Sequence, residues 1–421
     1  MRIFHELTSL IIILSTPFVG LAAQDERIAG PVEITLGEAL GRAIATDPRL
    51  QVNVAQAEAA DGQIDQANLR PNPVVGAEME NFLGSGPFSG LDSLEVTLGI
   101  SQVIETANKR ASRVALARAE RSLVDWDGEV LLARLESSIR SAFVEVLLAQ
   151  EWIQLRKEQL SLAEQSLQET TRLVEAARSP KVEESRARLA VRQIEFTLQQ
   201  ARRRLATAKS VLSGFWGESG GSDFFAVGKI RLEETPPEFS GLVAKLGRTA
   251  ALARFEAEER SRVAALDLEE ARSKPDVEVF AGGRYFNEAE GNIGFLAGVE
   301  VPWILSDQNQ GNIRTARAEL RAVSYESAAT RRELLIDLNQ AYQKALNARA
   351  DALTIQADLL PSAQDTLNDI QAGYERGQFS QLTLLEGRSA LFEVREAYLE
   401  ALWRYAVGQA EIEALTRPSN L

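Results

Sequence analysis

The chain of 421 residues contains no cysteine, so it forms no disulfide and carries no lipid anchor attached through one. It has a single histidine, His5, and two methionines, Met1 and Met79. Soft and borderline metal ions need imidazole, thiolate or thioether ligands, so this chain selects no metal by chelation, and neither a metal site nor a cofactor is expected. Nucleophile–base catalysis lacks its usual Cys and His as well. The carboxylate pairs Glu183-Glu184 and Glu269-Glu270 read as solvent faces of helices, and no enzyme is expected. Basic charge is also short, with 60 acidic residues against 46 basic ones and a net charge of −14. Nucleic acid is therefore not a partner, because phosphate binding needs clustered Lys and Arg; Arg202-Arg203-Arg204 reads as a solvated helix face. Past the N-terminus, no stretch approaches the ~18 apolar residues of a membrane-spanning helix.

What is present can fill a large core, at 45% hydrophobic and 25% charged residues. Residues 1–23 read as a secretory signal peptide: Arg2 is basic, Leu7–Val19 is largely apolar, and Gly20-Leu21-Ala22-Ala23 offers small residues for cleavage.

Two segments alternate with period two at bilayer length. In 74–83, Val75, Ala77, Met79 and Leu83 share one face, with Gly76, Glu78 and Glu80 on the other. In 94–104, Leu94, Val96, Leu98 and Ile100 alternate with Glu95, Thr97, Gly99 and Ser101. Each is close to the roughly 9–11 residues that a tilted strand needs to cross a bilayer, and the alternation is that of a transmembrane barrel strand. Arg70-Pro71-Asn72-Pro73 ends the helix before them, since a proline steers its predecessor out of the helical region. The arrangement returns after Pro275. Val277, Val279, Ala281 and Tyr285 line one face of 276–286, and Ile293, Phe295, Ala297, Val299, Val301 and Trp303 line one face of 293–303. Phe82, Tyr285 and Trp303 are expected near the membrane interfaces.

Helices fill the rest. Thr35 with Glu38 is a capping box, opening a helix that is interrupted at Asp47-Pro48 and resumes to about Leu69. From Ala107 to Ser179 there is no proline and one glycine, Gly128. Heptad spacing joins Leu160, Ala163, Leu167, Thr170, Val174 and Ala177 to a return arm with Val191, Ile194, Leu198, Ala201, Leu205, Ala208 and Leu212. A second set, Leu353, Gln356, Leu360, Ala363, Leu367, Ile370, Tyr374 and Gly377, faces Leu391, Val394, Tyr398, Ala401, Tyr405, Gly408 and Ile412, with Pro361 as the expected kink. Leu160, Leu167, Val174 and Ala177 fall two hundred residues before Leu360, Leu367, Tyr374 and Gly377, which is the mark of an internal repeat. The expected organisation is signal peptide 1–23, first repeat 24–213 with hairpin 74–104, linker or equatorial segment 214–239, and second repeat 240–421 with hairpin 276–304.

Four membrane-length strands do not close a barrel, and an open edge in lipid leaves backbone groups unpaired. Known single-chain barrels begin at about 8 strands, so the chain is expected to join copies of itself. Two copies give eight strands around packed side chains; three give twelve around water. With the helices continuing as a tube, the geometry reads as a long water-filled duct. A water-soluble sheet capping a coiled coil is the competing reading.

The residues Leu36-x-x-Ala39-Leu40, Asp47-Pro48-x-Leu50, Arg70-Pro71-Asn72-Pro73, Ser101-Gln102-Val103-Ile104, Tyr374-Glu375-Arg376-Gly377 and Leu382-x-Leu384-Leu385-Glu386-Gly387-Arg388, in this order, resemble the TolC-like outer-membrane efflux proteins. The resemblance spans the chain after the signal peptide. It implies a mainly α fold of two tandem repeats of long antiparallel coiled-coil helices, each with a β-hairpin. It also implies a homotrimer whose four strands per chain complete a twelve-stranded barrel in the lipid of the Gram-negative outer membrane, with helices reaching into the periplasm. Its implied partners are a periplasmic adaptor (membrane fusion protein) and an inner-membrane pump of the resistance-nodulation-division type. The compact C-terminus and the Pro-Asn-Pro before the first hairpin are closest to the heavy-metal, cobalt-zinc-cadmium type components. Family resemblance places a periplasmic gate at Glu183, Tyr374 and Glu386, and adaptor contacts at the turns Ala177, Arg178, Ser179 and Gly377, Gln378, Phe379, Ser380. Where the family's gate has an arginine and an aspartate, this chain has Phe379 and Thr383, so a latch of that form is not expected. Alternatives of other kinds are the duct of a protein secretion system and a non-channel periplasmic scaffold or adaptor.

Overall fold

The computed structural model describes residues 32–218, 223–232, 237–288 and 291–419. The expected signal peptide, and Gly220, Gly221 and Pro236 of the linker, lie outside them. The chain begins with strand β1 (Val32–Ile34) and helix α1 (Leu36–Thr46). The capping box is formed: Thr35 N donates to Glu38 Oε2 at 2.8 Å, and Glu38 N donates to Thr35 Oγ1 at 3.3 Å. Asp47 caps the next helix, α2 (Pro48–Ala67), by accepting from Arg49 N at 2.8 Å, with Pro48 at the first position where no N–H is missed.

Strands β2 (Val74–Glu80) and β3 (Glu95–Ile104) form the first hairpin. Helix α3 (Lys109–Glu175) then runs 67 residues, about 100 Å at 1.5 Å per residue, and α4 (Lys181–Gly214) returns along it. Strand β4 (Phe224–Ala226) pairs in parallel with β1, and the side chain of Gln150 bonds both the N–H and the C=O of Ala226 at 2.9 Å. These two strands were not expected; at three residues each, neither shows a period.

The second half follows the same order. Helices α5 (Phe239–Leu246) and α6 (Ala250–Arg272) lead to β5 (Val277–Phe286) and β6 (Asn292–Glu300). Helix α7 (Gln310–Thr354) descends into a π-helical turn, Ile355–Leu359, and α8 (Leu360–Glu375), and α9 (Gln381–Thr416) returns. At Pro361, where a kink is expected, Leu360 N–H reaches back to Ile355 O just before the proline, so the helix takes in one extra residue as a π-turn. That residue shifts the seam. Below the turn the expected Leu360, Ala363, Leu367 and Ile370 pack inward, but above it Ala352 and Ile355 are buried in place of the expected Leu353 and Gln356, which are exposed.

Helix packing builds two matching cores. In the first half, Leu135, Ile139, Phe143 and Val146 of α3 meet Leu212, Trp216, Phe224 and Ile34. In the second, Leu338, Ala341 and Ala345 of α7 meet Leu242, Leu246, Tyr405 and Ile412. At about 1.5–3 kcal/mol for each large side chain buried, these clusters fix the middle of α3 and the second half of α7 against the C-terminal parts of α4 and α9. Among the described residues no helix is long and apolar enough to cross a membrane.

Candidate functional site

Four strands form one antiparallel sheet in the order β2-β3-β5-β6, so the two hairpins join through β3 and β5. Register places Met79, Val96, Tyr285 and Ile293 in one row, then Ala77, Leu98, Gly283 and Phe295, then Val75, Ile100, Ala281 and Ala297. The apolar faces of four separate runs therefore coincide as one continuous surface. It is bare: Val75 is 77% exposed and Phe295 93%. An apolar area of this extent on a folded chain marks a surface that meets lipid or another protein.

On the opposite face lie Glu78, Glu80, Glu95, Glu278 and Glu300, with Arg284 as the one cation among the paired positions. Arg284 stands 2.9 Å from Glu95, 3.1 Å from Glu80 and 2.9 Å from Thr97 Oγ1. Gly76, Gly99 and Gly282 form a row across this face. A Cβ at Gly282 would fall 2.5 Å from Leu98 O, so the close approach of β3 and β5 requires glycine there. The exposed Phe82 and Tyr285 stand toward the hairpin loops, whereas Trp303, 87% exposed, follows the other end of β6.

At the far end of the helices the two turns have one geometry. Ala177 (φ 56°) and Gly377 (φ 74°) are left-handed. Arg178 N donates to Leu173 O at 2.8 Å, and Gln378 N to Gly373 O at 2.8 Å, the six-to-one bond that closes a helix C-terminus. Ser179 precedes Pro180, the extended residue just ahead of the return helix, while Ser380 caps α9 by accepting from Thr383 N at 3.2 Å. Phe379 lies over Gly373, where its ring occupies the space a Cβ would need.

The residues expected at a gate are dispersed around this tip. Glu183 is ion-paired to Arg186 of its own helix at 3.0 Å. Tyr374 packs against the cluster that Leu367, Leu384 and Leu391 form. Glu386 is exposed on the rim of a 260 Å³ groove with Ile194, Arg388 and Phe392. Among the described residues no hydrogen bond or ion pair joins the three. What ties the hairpins together is a polar seam between α3 and α9. Gln381 donates to Thr170 Oγ1, Arg388 donates to Ser166 Oγ, and Arg156 pairs with Glu396. Further along, Arg395 pairs with Glu158 at 3.2 Å, Arg140 with Glu413 at 3.1 Å and Arg417 with Glu136 at 2.5 Å. Ser166 and Thr170 are buried. The sequence signal for them was two hydroxyls four residues apart inside an apolar seam.

The family model described as outer membrane efflux protein matches residues 39–218 and 242–416. The chain belongs to this outer membrane efflux family. Within it, the cobalt-zinc-cadmium resistance protein CzcC of Cupriavidus metallidurans is 29% identical over 374 residues, covering 89% of this chain and 87% of that protein. The nickel and cobalt resistance protein CnrC of the same organism is 26% identical over 322 residues, covering 74% and 73%. Among solved structures, CusC matches with a TM-score of 0.74 at 17% identity, over 94% of this chain and 95% of that one. The outer membrane protein VceC of Vibrio cholerae matches at 0.71 and 16% identity, over 91% and 96%. The efflux-family fold therefore extends over essentially the whole described chain, and the relatives found are metal-resistance proteins rather than enzymes.

Proposed function

We propose that this outer membrane efflux protein is the exit duct of a tripartite pump: a homotrimer whose twelve strands close a barrel in the outer membrane above a helical tube in the periplasm. The observation that carries it is the continuous bare apolar face of four strands of 7, 10, 10 and 9 residues, with β2, which stops at Glu80 short of the expected Leu83, and β6 at the edges of the sheet. The apolar face meets lipid, and the acidic face lines the water-filled interior. Residues 24–213 and 240–421 act as two repeats of one unit, joined by 214–239.

The partners are a periplasmic adaptor, docked at the turns Ala177–Ser179 and Gly377–Ser380, and an inner-membrane pump of the resistance-nodulation-division type. The periplasmic gate lies at the tip, where Glu183, Tyr374 and Glu386 surround the opening. The cargo is heavy-metal cations, which the names of CzcC and CnrC favour over drugs or proteins. With Met79 the one soft ligand outside the signal segment, the duct passes metals that the pump has chosen. A resistance profile of a deletion strain across metals, drugs and secreted proteins tests the assignment. Sensitivity confined to divalent metals is expected; unaltered metal tolerance with loss of a secreted protein would overturn it. Conductance of the purified trimer in planar bilayers tests the duct itself.

A further inference from the structure

The sheet meets the helices where β3 passes into α3, and the balance of charge reverses there. The sheet carries carboxylates at Glu78, Glu80, Glu95, Glu278 and Glu300. Just beyond it, in a chain whose net charge is −14, Arg70, Lys109, Arg110 and Arg113 gather. A 550 Å³ pocket opens between Arg70-Pro71, ahead of β2, and the passage from β3 to α3.

The pocket has one carboxylate in its lining, and that group is already matched. Glu105 is held by Arg113, whose Nη2 lies 3.1 Å from Glu105 Oε2. Lys109 is matched as well, with its Nζ 2.7 Å from Asp276 Oδ1. Among the described residues no ion pair engages Arg70 or Arg110. Two free guanidinium groups therefore face the opening with no free carboxylate beside them.

One wall belongs to the apolar face. Register sets Ile104 opposite Val277 and Gln102 opposite Val279, on the side that Leu98 and Ile100 share. Ile104 is 49% exposed. Gln102, the polar residue of that row, has its amide satisfied by Pro71 O at 2.8 Å and Val103 O at 3.0 Å. Both flanks of β3 and α3 are filled, by β2 and α2 on one side and by β5 and α6 on the other. What stays open between them is no seat for a further strand or helix.

A pocket that is cationic at one end and continuous with bare apolar strand at the other has the build of a phospholipid site. We propose that it binds the phosphate of an anionic phospholipid between Arg70 and Arg110, in the leaflet on the helix side of the membrane. One acyl chain then runs along Ile104 and Ile100. This rests on the apolar face lying in lipid. The charges set the preference: with Glu105 engaged, no carboxylate is left for the amine of phosphatidylethanolamine. Phosphatidylglycerol keeps its full charge, and each cation beside an anionic headgroup is worth about fivefold in affinity.

Full-length protein in mild detergent is titrated with phosphatidylglycerol, phosphatidylethanolamine or inorganic phosphate. Bound lipid is counted by native mass spectrometry, and conductance in planar bilayers is measured on the same preparation. One phosphatidylglycerol per chain should be retained, at several-fold lower concentration than phosphatidylethanolamine. Arg70→Gln with Arg110→Gln should weaken retention roughly 25-fold. Arg70→Lys with Arg110→Lys should keep the preference, and Arg202→Gln with Arg203→Gln, on α4, should change nothing. Displacement of the lipid by equimolar inorganic phosphate overturns the assignment. So does equal retention of both lipids unaltered by the arginine variants, or a conducting protein that retains neither; the duct then stands. A protein that neither conducts nor retains lipid removes both.

Discussion

Arg284 Nη1 stands 2.9 Å from Glu95 Oε2, across the β5–β3 pair, on a face whose other charges are carboxylates. Removing the guanidinium by Arg284→Gln uncovers Glu80 and Glu95 together. In a barrel lined by this face, charged rings set ion preference. The variant should shift the reversal potential in a salt gradient toward stronger cation selectivity, and an unchanged potential would place Arg284 outside the conducting path.

The bare apolar face makes an opposite demand. A charge at Phe295 or Val96 would have to enter lipid, at a cost of roughly 2–4 kcal/mol per Arg near the bilayer midplane. Phe295→Arg and Val96→Arg should each cut the yield of heat-labile trimers in outer-membrane fractions several-fold. Normal yield from both would reverse the assigned facing.

Asp47 gives a pH dependence. Arg49 donates to its carboxylate through Nε at 3.0 Å and Nη2 at 2.7 Å, and this holds the acid below its ordinary range despite burial. A carboxyl lowered in the folded state contributes stability above its unfolded value of about 3.9, and that contribution is lost as pH falls through the folded one. Asp47→Ala removes a helix cap worth about 1 kcal/mol. Thermal midpoints of wild type and variant should differ at pH 7 and begin to draw together as the pH falls below about 4.

Helix packing gives a steric test. A Cβ at Gly408 would fall 2.9 Å from Ala345 Cβ and 3.1 Å from its backbone, so α9 and α7 approach on that glycine. Gly408→Val should cost about 1–3 kcal/mol as overpacking, visible as a lowered melting temperature in detergent.

At the tip, Gln381→Ala with Arg388→Ala removes two of the bonds that tie α9 to Ser166 and Thr170. In the proposed duct, open probability in bilayers should rise. An unchanged opening record would assign the resting closure to Glu183 and Glu386 instead.

The sheet was legible because period-two alternation fixes a strand's face, and register then aligned Val75, Val96, Tyr285 and Phe295 on one side. The hairpin seams were legible wherever large and small residues kept heptad spacing. They failed at Leu353 and Gln356, because a π-turn inserts a residue without leaving a mark in the apolar pattern. Strands β1 and β4 were too short to show a period, and their pairing joins Val32 to Phe224, far apart in sequence. The polar seam at the tip was missed for another reason. Its donors, Gln381 and Arg388, look like any exposed helix residues until the fold brings α3 beside them.

In the proposed duct, the buried hydroxyls of Ser166 and Thr170 set how the tip opens. Parting a leucine zipper exposes oil to water, and the penalty mounts with every ångström. Parting a guanidinium from an alcohol exchanges one partner for a water molecule of similar worth. An adaptor docked on these hairpins in the proposed duct therefore parts a polar seam at Ser166 and Thr170 rather than an apolar one.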